Sequence, residues 1–234
     1  MKRRKTIIYG NGLYARMLYQ YIAKEGILEI VAFTADSQFM KEHNFLGIPL
    51  VPFETVDRVY PPPEFTMLVV IGFSRMRNRE IMFERAKRRG YTLENHISSK
   101  AMIFGDLKIG ENNIINDGVY IGPFGQIGDN NYIAANTHIG HDFKLHSHSY
   151  IAPGCNIAGE CEIGSLSFIG IGSTVVDSIK VERETLIGAG SLVLKNTEPY
   201  SKFIGSPAKK MGEHAARGIV FEEKDRGKNS TLDF

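Results

Sequence analysis

The chain has 234 residues and almost balanced charge, 28 Lys and Arg against 26 Asp and Glu, so composition points to neither nucleic acid nor an acidic membrane as partner. Its basic start (Lys2, Arg3, Arg4, Lys5) runs into a short strand-like stretch, and no segment approaches the ~18 apolar residues of a membrane span. Two cysteines, Cys155 and Cys161, form neither a disulfide framework nor a metal-ligand pattern, and the expectation is a cytoplasmic protein of one or two domains.

From the N-terminus, "TIIYG" predicts a buried strand and "LYARMLYQYIAKEG" an amphipathic helix with a glycine stop. "EIVAFTAD" predicts a second strand, "TMLVVIG" after Pro61-Pro62-Pro63 a third, and "RNREIMFERAKRRG" a further helix. Strands alternating with helices imply a parallel α/β sheet over residues 1–95, a short Rossmann-like domain. Between the first strand and helix, Gly10-Asn11-Gly12-Leu13-Tyr14-Ala15 fits G-x-G-x-x-A, the pattern that brings backbone N–H groups to a phosphate at a helix N-terminus. The same residues also fit a tight strand–helix turn with no ligand. Asp36 ends the second strand, where an acid commonly meets a ribose or base. Only one mononucleotide half precedes the second domain, so a nucleoside diphosphate fits better than a redox dinucleotide. Ser74, Arg75 and Arg77 follow the third strand on the same sheet edge and fit a phosphate or base contact, while Arg77 and Arg79 equally fit solvated helix charges.

Helix periodicity ends near Tyr91–His96 and a six-residue period replaces it. Ile97, Ile103, Ile109, Ile115, Ile121, Ile127, Ile133, Ile139, Leu145 and Ile151 keep one phase, and Ile157, Ile163, Ile169, Val175, Val181, Ile187 and Val193 continue it. Neither a helix nor an ordinary strand has that period; a parallel β-helix over residues 96–212 does. Each aliphatic residue points into a triangular prism, and the Gly or Asn beside it is expected to turn the corner at positive φ. Three hexads make one rung, so residues eighteen apart stack about 4.8 Å apart. Residues 213–234 are charged and largely aperiodic, and a mobile tail or short docking helix is expected there.

The array carries His138, His141, His146 and His148 within eleven positions. His141 is followed by Asp142, and eighteen residues on from His141 stands Gly159, whose N–H has no side chain in its way. An imidazole with a carboxylate partner suits proton removal from an attacking nucleophile, and a backbone N–H suits a developing oxyanion. His138 fits either the substrate site or an exposed place on the prism. His146 and His148, past a corner, are expected towards the surface. His141 and His146 also have the G-H-x₄-H spacing of the γ-class carbonic anhydrases, but the position of their third ligand is Gly122, so no metal is expected.

"IIYGNGLYA", "NTHIGHDF" and "GSPAKKM" together resemble the sialic acid O-acetyltransferase-like sugar acyltransferases, and more closely their relatives that N-acetylate nucleotide-linked amino sugars. The resemblance implies a left-handed β-helix, a homotrimer with acetyl-CoA between neighbouring β-helices, and a nucleotide held by the N-terminal domain. It implies catalysis by His141 with Asp142, the thioester carbonyl at Gly159, and a donor arm lined by Gly170, Ile171, Gly188, Ala189, Gly190 and Lys209. With the nucleotide so placed, the acceptor site is expected to draw on Gly10, Asn11, Gly12, Leu13, Tyr14, Thr34, Asp36, Ser74, Arg75 and His138. The expected acceptor is a UDP-, dTDP- or GDP-linked deoxyamino sugar used in surface polysaccharide or glycan assembly; the alternatives are an O-acetyltransferase of the sialic acid type and, behind it, a zinc enzyme like the γ-class carbonic anhydrases. Tyr14 and Tyr150 depart from the family, each standing where relatives often carry histidine.

Overall fold

The structure is a computed structural model that describes residues 4–214 and 216–221. Its N-terminal part is a five-stranded sheet in the order β3-β4-β2-β1-β5. The elements are β1 (Arg4–Tyr9), α1 (Leu13–Glu25), β2 (Leu28–Ala35), β3 (Asn44–Phe45), β4 (Ile48–Pro52), the short α2 (Val56–Val59), β5 (Thr66–Val69) and α3 (Met76–Arg88). All pairings are parallel except β3 with β4. That hairpin is an addition to the sequence expectation; its two-residue turn, Leu46-Gly47, has positive φ at both positions, as a tight hairpin requires.

Chain order explains where the sheet opens. From β1 the chain winds outward through β2 to β4, then returns to place β5 on the other side of β1. The crevice at the C-terminal ends of β1 and β5 is therefore the switch point, the place where open α/β sheets bind ligands. Ala15, Leu18 and Ile22 of α1 cover one face of the sheet, against Phe33, Leu50 and Leu68. Phe83 and Ala86 of α3 cover the other, against Ile7, Tyr9 and Met67.

From His96 onward, two-residue strands recur every six residues and stack in parallel as a left-handed β-helix. The inward residues from Ile115 to Val193 form one buried column, capped at its far end by Phe203 and Ala208, while Ile97, Ile103 and Ile109 line the less covered first rung. The corners turn one step away from the expected place. From Ile109 to Ile187, positive φ falls on the third residue after the inward position, as at Asn112, Phe124, Asn130, Asp142 and His148. The glycines directly after the inward residues serve packing instead: a Cβ on Gly140 would lie 2.6 Å from the Gly159 nitrogen, and one on Gly170 2.5 Å from that of Ala189.

The outward residues give the three faces different fates. The first face, Ile114, Tyr132, Tyr150, Phe168 and Leu186, is apolar and buried in one core with α1 and the sheet. Its rings stack at 4.8 Å (Tyr132–Tyr150) and 5.5 Å (Tyr150–Phe168), with Phe73 and Phe221 packed on them. A second face is polar: Lys108, Gln126, Lys144, Glu162 and Lys180. The third carries Met102, Tyr120, His138, Asn156, Thr174 and Leu192 and is not covered by this chain's N-terminal part.

A polar seam holds the sheet to the first face. Asn112 accepts from the Val69 N–H (2.7 Å) and donates to the Val69 carbonyl (3.0 Å), imitating one more strand. One rung up, Asn130 donates to the Arg79 carbonyl, and Arg79 donates to the carbonyls of Ile71 (2.7 Å), Asn130 (2.7 Å) and His148 (3.3 Å). Arg79 is thus a buried strut and not a solvated helix charge; burial lowers its pKa to about 10, so it keeps its proton at neutral pH. Arg77 is likewise engaged, by the buried Glu184 at 2.7 Å and by the Ala216 carbonyl.

The C-terminal segment differs from expectation in its described part. Residues 216–221 form neither a free tail nor a helix; they run back to α3, where Met76 N–H meets the Ile219 carbonyl and Phe221 N–H the Ser74 carbonyl. Ile219 is buried there. The rest of the expected tail, residue 215 and residues 222–234, lies outside the described residues.

Candidate functional site

The prism edge between the open third face and the polar face carries His141 and Asp142. Ile139 points inward, so the hexad sets His141 outward two residues later and puts Asp142 at the corner with φ +50°, where Asp is one of the few tolerant residues. His141 Nδ1 lies 2.9 Å from Asp142 Oδ2, both side chains being half-exposed. A carboxylate only accepts, so the neutral ring carries its proton on Nδ1 and its Nε2 is left as a lone-pair acceptor. That nitrogen faces the next rung at Gly159, where a Cβ would come within 2.6 Å of it. Glycine at 159 is therefore what admits the imidazole.

The Gly159 N–H is not idle, as rung spacing alone suggested. It donates to Oδ1 of Asp177, one rung further, at 3.1 Å. Asp177 is the residue that sequence reasoning missed here, although the eighteen-residue step from Gly159 leads straight to it.

The other histidines separate from His141. His138 is exposed on the open face and stacks on Tyr120 (centroids 4.6 Å apart, 6° between planes). His146 pairs with Glu162 at 2.8 Å. His148, expected near the surface, is buried at the polar seam, its Nδ1 accepting from Asn130 at 3.0 Å and its pKa pulled down to about 4 by burial, with Arg79 and Arg183 adding to the effect. Among the described residues no three His, Cys, Asp or Glu side chains converge as a metal cradle.

A second locus lies at the switch point. A Cβ on Gly10 would stand 2.4 Å from the Val70 carbonyl oxygen, so only glycine lets β1 and β5 end this close together. Gly12 opens α1 with no side-chain cap and no acidic residue in the first turn, and its own surroundings are open. The first amides of α1 thus keep their positive end towards the crevice. Asn11 donates to the Phe39 carbonyl at 2.9 Å and Leu13 is exposed. Arg75 is exposed at the far lip, and the Ser74 carbonyl receives the C-terminal segment.

Other residues expected here are committed elsewhere. Asp36 takes two hydrogen bonds from Arg85, each 2.8 Å, and one from the Tyr9 hydroxyl at 3.0 Å. The hydrogen bonds from Arg85 hold the Asp36 carboxyl below the usual carboxylate range. Thr34 is buried and donates to the Val51 carbonyl. Tyr14, in the first turn of α1, packs edge-on to Phe73, Tyr132 and Tyr150, its hydroxyl 3.4 Å from that of Tyr150. The two departures from the family's histidines therefore sit against each other.

Gly170, Ile171, Gly188, Ala189 and Gly190 lie on the opposite edge of the open face, where it meets the aromatic face, so one chain does not bring them to Gly159. Ile171 is 61% exposed there, and Lys209 begins the terminal hairpin strand Lys209–Glu213.

The bacterial transferase hexapeptide family (six repeats) matches residues 124–159, a stretch that contains His141, Asp142 and Gly159. A comparison of the sequence with curated proteins found no match. The whole architecture is that of solved sugar acetyltransferases with an α/β domain before a β-helix. A point mutant of perosamine N-acetyltransferase from Caulobacter crescentus, in complex with CoA and GDP-perosamine, is similar with a TM-score of 0.81 and 24% identity over 89% of this chain and 97% of that one. The acetyltransferase domain of PglB from Neisseria gonorrhoeae, in complex with acetyl coenzyme A, gives 0.80 and 20% identity over 90% and 100%. WeeI from Acinetobacter baumannii gives 0.63 and 15% identity over 89% and 100%.

Proposed function

We propose that the chain is an acetyl-CoA-dependent N-acetyltransferase acting on the amine of a nucleotide-linked deoxyamino sugar. The observation that carries this reading is the His141–Asp142 pair, which leaves Nε2 as a proton acceptor over a side-chain-free backbone amide. The fold supports it, because structures of the same architecture hold CoA with GDP-perosamine and acetyl coenzyme A.

Acetyl-CoA supplies an acyl thioester. His141 Nε2 takes the proton that the sugar amine loses as its nitrogen bonds to the thioester carbon, and returns it to the sulfur as the carbon–sulfur bond breaks. Asp142 fixes the imidazole tautomer and stabilises the imidazolium. The Gly159 N–H steadies the carbonyl oxygen once it exchanges Asp177 for it. At the switch point, Gly10, Asn11, Gly12, Leu13 and the amides of α1 receive the diphosphate, with Arg75 at the rim. Thr34 and Asp36 shape this crevice from within, because their polar atoms are already satisfied. Gly170, Ile171, Gly188, Ala189, Gly190 and Lys209 line the donor arm, and the distance of their edge from Gly159 is bridged when a neighbouring copy in a homotrimer supplies them. The reaction draws on cytoplasmic pools of donor and acceptor for surface polysaccharide or glycan assembly; among the described residues no helix is long and apolar enough to cross a membrane.

The test is incubation of the protein and of a His141→Ala variant with acetyl-CoA and a panel of UDP-, dTDP- and GDP-linked amino sugars, with hydroxyl analogues alongside, followed by mass measurement of the products. A gain of one acetyl group on an amino sugar, lost in the variant, is the expected result. Full activity of the variant, or acetylation of the hydroxyl analogues alone, contradicts it.

A further inference from the structure

One residue on the catalytic edge is unfavourably placed twice over unless something lies against it. Phe124 stands one rung before Asp142, and it is the most exposed of the large hydrophobic side chains described, at 70%. It also occupies a corner at φ +64°, a conformation that suits Gly, Asn and Asp and disfavours a bulky side chain. Most corners of the prism use small or polar residues, among them Asn112, Gly118, Asn130, Asn136 and Gly154. Leu166 shares the disfavoured conformation, but it is fully buried, so packing offsets the strain. Phe124 has the strain without the burial.

Its place relative to the base is defined by the rungs. The Asp142 N–H donates to the Pro123 carbonyl at 3.0 Å, so the corner that bears Phe124 is in register with the corner that bears the His141–Asp142 pair. His141 turns its Nε2 the other way, towards Gly159. In the proposed reaction the thioester carbonyl lies on the Gly159 side, which leaves the Phe124 side of the pair for the acceptor. Nothing within the described chain covers the ring there.

We propose that Phe124 is a substrate-contact residue. Its ring is the apolar platform for the C–H face of the deoxyamino sugar, holding the pyranose beside the imidazole so that its amine extends past the ring edge to His141 Nε2 on the Gly159 side. A deoxy sugar has fewer hydroxyls to hydrogen-bond and more C–H surface to pack, which is what an aromatic face accepts. This inference rests on the acetyltransferase reading of the site.

The experiment compares wild type with Phe124→Asn and Phe124→Tyr in steady-state kinetics, thermal melting and sedimentation. Asn relieves the corner strain, so Phe124→Asn is expected to melt at or above the wild-type temperature while its KM for the nucleotide sugar rises about tenfold, its KM for acetyl-CoA holds, and its assembly state is unchanged. Phe124→Tyr keeps the ring and is expected to keep the wild-type KM. An unchanged acceptor KM in Phe124→Asn overturns the proposal, as does a shift to a smaller species, which makes the ring a subunit contact. If wild type acetylates no amino sugar, the acetyltransferase reading falls and the proposal with it; if wild type is active and Phe124→Asn matches it, the proposal alone falls.

Discussion

The backbone N–H of Gly159 donates to the carboxylate of Asp177 at 3.1 Å, one rung across the prism edge. The β-helix ladder leaves this amide unpaired, and side chains one rung on cap its equivalents too: Asp129 takes the Glu111 N–H and Ser147 that of Asp129. The capping is structural in origin, yet at Gly159 it places an anionic oxygen where the proposed reaction develops one. Asp177 then competes with the acyl carbonyl. Asp177→Ala is expected to lower the KM for acetyl-CoA about fivefold, the equivalent of one net hydrogen bond of about 1 kcal/mol. Asp177→Asn keeps an acceptor oxygen and stays near wild type. Loss of activity in both variants would show that the carboxylate serves the reaction directly.

The pairing of His141 with Asp142 separates two contributions. His141→Ala removes the acceptor nitrogen, and kcat is expected to fall by about a thousandfold, within the usual range for a general base. Asp142→Asn retains a residue type that tolerates φ +50° and so keeps the corner, while losing the charge that stabilises the imidazolium. A fall of about ten- to a hundredfold is expected, with an unchanged melting temperature, because the pair is half-exposed and contributes little to folding. Single-turnover acetylation with both variants checks this.

The six-residue period was visible because an inward position admits only aliphatic side chains, and its arithmetic carried as far as the stacking of His141 over Gly159. The glycines misled at one step, since two demands select glycine: positive φ at a corner, and close rung-to-rung contact beside the inward residue. Gly140 and Gly170 answer the second. The docking of the sheet was hidden for a different reason. Asn112 and Asn130 look like ordinary corner residues, and Arg79 like a helix charge, until the fold brings positions 40 to 70 residues apart together. Nothing periodic links them. Asp36 shows the same limit, because its partner Arg85 stands on a helix whose placement no local pattern gives. Tyr14 and Tyr150 were legible separately as departures, and only the structure shows that they meet.

Arg79 makes a sharp stability prediction. Its guanidinium satisfies the carbonyls of Ile71, Asn130 and His148 at a buried junction of sheet and β-helix, with no carboxylate among the described residues bonded to it. Arg79→Met fills similar space but strands three carbonyl acceptors, those of Asn130 and His148 in buried contacts, and is expected to destabilise the chain by on the order of 3 kcal/mol. Arg79→Lys retains one or two donors and should fall between. Urea unfolding followed by tyrosine fluorescence measures both; a wild-type midpoint for Arg79→Met means that water replaces the guanidinium without penalty.

His148 gives stability a pH dependence of known sign. Burial beside Arg79 and Arg183 takes its pKa down to about 4, against 6.5 for the free side chain, and Asn130 donates to its Nδ1, which suits the neutral ring. Between those values the unfolded chain binds a proton that the folded chain refuses, so stability rises with pH through this window. The contribution is complete above pH 6.5 and fades as pH falls towards 4, by on the order of 3 kcal/mol in all. His148→Asn preserves a residue that accepts φ +68° and removes the titrating group. Its unfolding free energy is expected to change less between pH 7 and pH 5 than that of wild type. Part of the slope remains, because burial also lowers the pKa of His96 and His214. Parallel slopes in wild type and variant would mean that His148 takes its proton in the folded state, and that the seam opens to let it.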